Sequence, residues 1–306
     1  MISLSTAESA LKEAYLNAVC NQLNTNANPL LAKIKQSSAD VYGKNIIKMA
    51  PIGLNGGVGA GAETGELPTA RSNRYAQFKT TLKNLYGQIE ISDKAIRASA
   101  SSAGAFVDLL NAEMEGLLTA SKFNLGRMLY GDGSGALGTV TSTPSGKVIA
   151  FDSVKNFAEG MCIDFGADTQ ILRVMSVDRA NKTITVDTTV TGVEVGAVAY
   201  VQGSKDYEIT GLGAIFGNTE TLYGLNRAEN GWLKPYTSTT ETEISDDLLQ
   251  AAVDYLNENS ASEIDIITCG SGVRRAYMQY LSCYRRNIDV MNLAGGYKAI
   301  SFNGIP

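Results

Sequence analysis

Apolar residues recur along this chain with two different periods, and the switch between them divides it into blocks. Ser5-Thr6-Ala7-Glu8 has the form of a capping box with Leu4 before it as a staple, and Leu11, Tyr15, Val19 and Leu23 follow at helical spacing. Asn24–Pro29 ends that helix, and Leu30-Leu31-Ala32-Lys33-Ile34 forms a short apolar piece. Ile46–Pro51 and Tyr75–Ile91 read as strands. Between them runs Gly53–Pro68, rich in glycine and poor in side chains able to bury apolar surface. A structureless stretch of that length between two strands predicts a long protruding hairpin, ordered mainly by something outside the subunit.

The longest helical signal runs from Ala103 to Tyr130, free of proline, with Phe106, Leu110, Met114, Leu117, Ser121, Leu125 and Met128 on one stripe. At 1.5 Å per residue it is on the order of 40 Å long. Gly131-Asp132-Gly133-Ser134-Gly135 stops it. From Val140 to Thr210 the period becomes that of strands: Lys147–Phe151, Cys162–Phe165, Ile171–Val177, Thr183–Asp187 and Ala197–Val201, with a hairpin turn at Asp178–Lys182. Such spacing predicts a small barrel or sandwich with Val148, Phe151, Ile163, Leu172, Val174, Ile184 and Val186 in its core. The last part reads as α/β. Ser245 caps a helix carrying Leu249, Val253 and Leu256. The strand Ile264–Cys269 leads through Gly270-Ser271-Gly272 into a second helix with Val273, Tyr277, Tyr280, Leu281 and Tyr284 on one side.

Composition narrows the chemistry. The chain has 306 residues, 44% of them hydrophobic, so a packed core is expected. No apolar run reaches the roughly 18 residues of a membrane span, and no secretory signal is expected at the N-terminus. Net charge is −5, against a phosphate-gripping nucleic-acid module. Histidine is absent, which removes Ser-His-Asp and Cys-His catalysis and every histidine-containing zinc site. Cys20, Cys162, Cys269 and Cys283 contain no C-x-x-C pair and are expected as small buried apolar side chains.

Three segments invite a binding reading. Gly59-Ala60-Gly61 lacks the third glycine of a dinucleotide fingerprint and has no Gly-Lys-Ser/Thr, so no P-loop exists there. Asp132-Gly133-Ser134-Gly135 lacks the alternating acids of a calcium loop. The Gly270–Gly272 junction could offer amides at a helix N-terminus to an anionic substrate, although Arg275 stands where a third glycine belongs and Ser271 serves equally as a cap. Taken together, these residues predict no enzyme, no cofactor and no metal.

The order of segments matters more than any one motif. Asn28-Pro29-Leu30-Leu31-Ala32-Lys33-Ile34 with Gly43-Lys44, then Glu63-Thr64-Gly65-Glu66-Leu67-Pro68, Tyr130-Gly131-Asp132-Gly133-Ser134-Gly135, Gly224-Leu225-Asn226-Arg227 and the closing Ile300–Pro306 form a series that resembles the major capsid proteins of tailed bacteriophages. That resemblance implies an α+β protein of the Hong Kong 97 type. Its parts would be a helical arm (1–44), an extended hairpin (45–95), a peripheral domain with a spine helix (96–139), an inserted β domain (140–210), and an axial domain beginning its return to the peripheral domain (211–306). The insert is an addition to the minimal fold, similar to the β-barrel insertions of some phage capsids, and family members usually run on beyond the point matching Pro306. The resemblance also implies hexamers and pentamers of an icosahedral virion shell, made in a bacterial cytoplasm, that encloses DNA without reading its sequence. Scaffolding, portal or decoration proteins are the further partners it implies. An encapsulin-like compartment is the alternative of the same fold. The expected contacts between subunits are Leu54, Glu63, Glu66, Leu67, Arg71 and Arg74 on the hairpin.

Overall fold

The computed structural model describes residues 29–34, 41–90, 103–166, 170–217, 219–238, 242–260, 263–283, 290–292 and 298–306. The expected helix over 5–23 lies outside them. The architecture is mixed α+β. The chain divides into two compact units, one of 36–85 with 127–235, the other of 1–35, 86–126 and 236–306.

In the first unit, β1 (Val41–Tyr42), β2 (Asn45–Ile52) and β3 (Arg74–Thr81) form an antiparallel sheet in that order. The β2–β3 ladder runs without a slip from Asn45↔Thr81 to Ile52↔Arg74. β3 is shorter than the expected Tyr75–Ile91 strand: β2 begins at Asn45, and past Thr81 the pairing runs out after one bond, from the Leu82 amide to the Lys44 carbonyl. Phe78 anchors the hairpin edge-on to Tyr223 and Trp232, with ring centroids 6.4 and 5.8 Å away. The Lys79 amide donates to the Tyr223 carbonyl at 2.8 Å. Tyr223 and Gly224, at φ +49° and +82°, make the two-residue turn between β10 (Thr221–Leu222) and β11 (Leu225–Asn226), as primed hairpin turns require.

The insert is a closed barrel. β4 (Ala136–Thr139), β5 (Val148–Ala150), β6 (Cys162–Asp164), β7 (Leu172–Asp178), β8 (Thr183–Val186) and β9 (Val198–Val201) pair in the order β4-β9-β6-β7-β8-β5. A Val140↔Phe151 bridge joins the two ends, flanked by amide donation from Thr141 to Ala150 and from Asp152 to Thr139, each 3.0 Å. Closure leaves no free sheet edge. Among the described residues twelve buried ones fill it, including Leu137, Val140, Phe151, Phe157, Ile163, Leu172, Val174, Ile184 and Val186. Six of the seven expected core residues are there. Val148 is not: it is 40% exposed because Ile149 takes the inward position, and alternation then sends Val148 out. The module starts at Ala136, four residues before the expected boundary, since the short β4 strand Ala136-Leu137-Gly138-Thr139 carries a glycine and little β-branched character.

Turn carboxylates brace this barrel. Asp178 accepts from the Asn181 and Ala180 amides, with Lys182 at φ +54° completing the expected turn. Asp187 accepts from the Arg173 amide of β7 at 3.0 Å. The Asn181 amide holds the Asp178 carboxyl below its ordinary value, and the Arg173 amide does the same for Asp187. A depressed folded pKa adds stability that is present above the unfolded value and lost as pH falls through the folded one. With its own closed core, the excised fragment 136–204 is expected to fold alone, and its melting temperature to hold from neutral pH to about 5 and to begin falling below about 4. Asp187→Asn should flatten that acid limb in a circular-dichroism melt series. An unfolded fragment, or a melt unaffected by acid, would count against this account.

The helix α2 (Ala103–Tyr130) has the expected bounds, following a short α1 (Pro29–Lys33). Gly131–Gly135 ends it with Gly133 and Gly135 at positive φ, and Asp132 accepts from the Ser134 amide and hydroxyl in a local turn. Its last turn meets α3 (Leu212–Phe216) end to end. The Gly213 amide donates to the Gly131 carbonyl, and a Cβ on Gly211 would collide with the carbonyl oxygens of Met128, Leu129 and Gly131. Arg127 on that turn forms a two-pronged ion pair with Glu208, their side chains 6% and 2% exposed. Buried Arg227 closes the other end of α3 by donating to the carbonyls of Ala214, Ile215 and Gly217.

In the second unit, Ser245 caps α4 (Asp246–Ser260), its hydroxyl accepting from the Leu248 amide at 3.2 Å. α5 (Ser271–Cys283) buries Tyr277 and Leu281 against Phe302, with Leu249, Val253, Ile267 and Ile300 around them. Val273, expected on that side, is 45% exposed. Residues 263–269 form no ladder, contrary to the expected strand; their link to the chain terminus is one bond, from the Ile267 amide to the Pro306 carbonyl. β12 (Val290–Asn292) and β13 (Lys298–Ile300) make a separate antiparallel pair. No helix among the described residues is long and apolar enough to cross a membrane.

Candidate functional site: the hairpin arm

The residues singled out on the hairpin all reach solvent. Past Ile52↔Arg74 the ladder ends, and within Gly53–Asn73 two hydrogen bonds remain, Gly57 amide to Asn55 Oδ1 and Gly65 amide to Ala62 carbonyl. The limbs nevertheless stay together. A Cβ on Gly57 would lie 3.2 Å from the Arg71 nitrogen, and one on Gly59 would lie 3.2 Å from Pro68. Glycines at alternate positions of one limb thus let the other approach, and the arm turns back at Ala62–Gly65 as a slim ribbon. Glu63 and Glu66 sit at the apex, Leu67 next to them, Arg71 beside Gly56 and Gly57, and Arg74 at the base opposite Ile52. None of these four charged groups has an ion pair within the described residues.

Leu54 is 99% exposed and Leu67 91%. The structure adds Val58 at 89%, Met49 at 66% and Tyr75 at 59%, which sequence reasoning passed over. Their signal was present: Val58 is an isolated β-branched residue among glycines, and Met49 and Tyr75 lie on the face away from Phe78 by strand alternation. Isolated exposed apolar residues need no explanation, but a set of them on one arm without a covering surface marks an interaction site.

The Gly270–Gly272 junction is built differently from its expectation. Without a strand before it, α5 simply begins at Ser271, and the Gly270 carbonyl accepts from the Arg274 amide. Beside it runs a groove of about 770 Å³ lined by Thr242, Glu243, Ile244, Leu248, Val273 and Tyr280, among others. Among the described lining residues Glu243 is the only formally charged one. Three cysteines are described, all free thiols: Cys162 is half-buried, while Cys269 and Cys283 are exposed rather than in the core. They fall at the two ends of α5, where the helix leaves its packed middle. Among the described residues no three His, Cys, Asp or Glu side chains gather to hold a metal.

No family model, curated protein or solved structure matches this chain.

Proposed function

We propose that this protein is the shell-forming major capsid subunit of a tailed bacteriophage, with the Hong Kong 97-type fold. The observation that carries the reading is the arm: a slim, glycine-lined hairpin whose apolar side chains are almost wholly in water. Burying an aliphatic side chain of this size contributes about 1.5–3 kcal/mol, a gain Leu54, Val58 and Leu67 realise only when a second surface covers them. A second copy of the chain is the partner the reading supplies, repeated as hexamers and pentamers around double-stranded DNA in the virion. The long α2 and the inserted barrel suit the spine helix and insertion domain of such subunits. Catalysis has no part in this reading.

Sedimentation velocity across protein concentration and salt, with negative-stain microscopy of the fastest fraction, tests it. Rings or closed shells are expected. A single sharp monomer boundary under every condition would sink the proposal. Shells that contain protein cargo and no nucleic acid would point to the encapsulin-like alternative.

A further inference from the structure

We infer that Asn55 is a self-modification site: the Gly56 backbone nitrogen displaces its side-chain amide and leaves aspartate or isoaspartate on the arm. The chain holds three Asn-Gly pairs, Asn55-Gly56, Asn230-Gly231 and Asn303-Gly304. A glycine after asparagine offers an unhindered backbone nitrogen, so each pair has the reacting atoms at hand. The fold decides whether they meet. Ring closure requires the asparagine to rotate until the glycine nitrogen faces Cγ, and Nδ2 must be free to leave.

Two of the pairs are locked. Asn303 stands at φ +49° in the turn that Phe302 and Ile305 close with two backbone bonds of 2.9 Å, and its Nδ2 donates to Gln250 Oε1 at 3.0 Å. Asn230 opens the short 3-10 helix Gly231–Leu233. Its Nδ2 and its own amide both donate to the Asn226 carbonyl, and its carbonyl accepts from the Leu233 amide. Asn55 is held by a single hydrogen bond, and that bond favours reaction. The Gly57 amide donates to Asn55 Oδ1 at 2.9 Å, which draws electron density from Cγ and supports the oxyanion that attack creates. Among the described residues neither Asn55 Nδ2 nor the Gly56 amide has a hydrogen-bond partner, and the ladder that would stiffen this backbone ends at Ile52.

Water is the only co-reactant. Base removes the Gly56 amide proton, the N–Cγ bond forms, the Cγ–Nδ2 bond breaks, and Nδ2 leaves as ammonia with one proton drawn from solvent. Water then opens the succinimide at Cγ to give aspartate, or at the backbone carbonyl to give isoaspartate. Either product adds a negative charge beside Arg71, whose Cγ lies 3.5 Å from where a Gly56 Cβ would stand. The modification does not depend on whether the chain forms shells.

Incubation of the full chain in heavy-oxygen water at mildly alkaline pH, followed by tryptic mapping in ordinary water, tests it. The peptide between Lys48 and Arg71 contains Asn55 as its only side-chain amide, so label uptake there reads one site. Asn55 is expected to convert about tenfold faster than Asn230 or Asn303, the factor that opening one or two hydrogen bonds imposes. Urea should bring the three rates together. Gly56→Ala, whose Cβ meets Arg71 only at ordinary contact distance, should remove most of the Asn55 rate. A folded chain in which Asn55 is no faster than the other two, a rate order unchanged in urea, or a Gly56→Ala chain that converts as fast as the parent would each overturn the inference.

Discussion

Deleting Gly56–Gly65 is expected to leave a folded subunit that no longer closes into shells. The deletion removes the apex but keeps the eight-pair ladder from Asn45↔Thr81 to Ile52↔Arg74, and it keeps Phe78 on Tyr223 and Trp232. No residue of the deleted stretch belongs to the barrel core or to the Arg127–Glu208 pair, so thermal unfolding should be close to that of the parent. Assembly should be lost, because Val58 goes and Leu54 and Leu67 are drawn back to the base of the hairpin. The same arm governs proteolysis. Holding a residue in one conformation costs about 1–2 kcal/mol, and two hydrogen bonds across Gly53–Asn73 offset little of that. Trypsin is therefore expected to cut unassembled protein at Arg71 and Arg74 and to spare assembled protein there. Equal protection in both states, or normal shells from the deleted chain, would remove the arm from assembly.

Arg127→Ala is expected to lower the stability of the full chain by about 3–5 kcal/mol, the largest single-residue effect here. The Glu208 side chain is 2% exposed and receives both prongs of the guanidinium, so truncation strands a carboxylate away from water. Gly135, at φ +83°, packs against that carboxylate so closely that a Cβ there would lie 3.3 Å from it. Removing both charges behaves differently: Arg127→Met with Glu208→Leu should recover most of the loss, since an apolar pair of similar volume avoids the desolvation of both ions. Chemical denaturation of the two single variants and the double variant measures the coupling. A loss below about 1 kcal/mol for Arg127→Ala would mean that water reaches the pair.

The sequence was sufficient for whatever depends on near neighbours. The α2 bounds, the Asp178–Lys182 turn, the Ser245 cap and six barrel-core residues follow from period, capping chemistry and alternation, each satisfied within a few residues of chain. Glycine density alone marked Gly53–Pro68 as an arm. Tertiary structure decided the rest. Barrel closure through Val140↔Phe151 depends on where the first and last strands meet, which no local pattern encodes. β3 ends at Thr81 because its partner does, and among the described residues Ile264–Cys269 joins no ladder, its backbone meeting the chain at Pro306 through the Ile267 amide instead. Arg127 and Glu208 lie 81 positions apart and read separately as ordinary surface charges; only the meeting of α2 with the chain leaving the barrel buries them together.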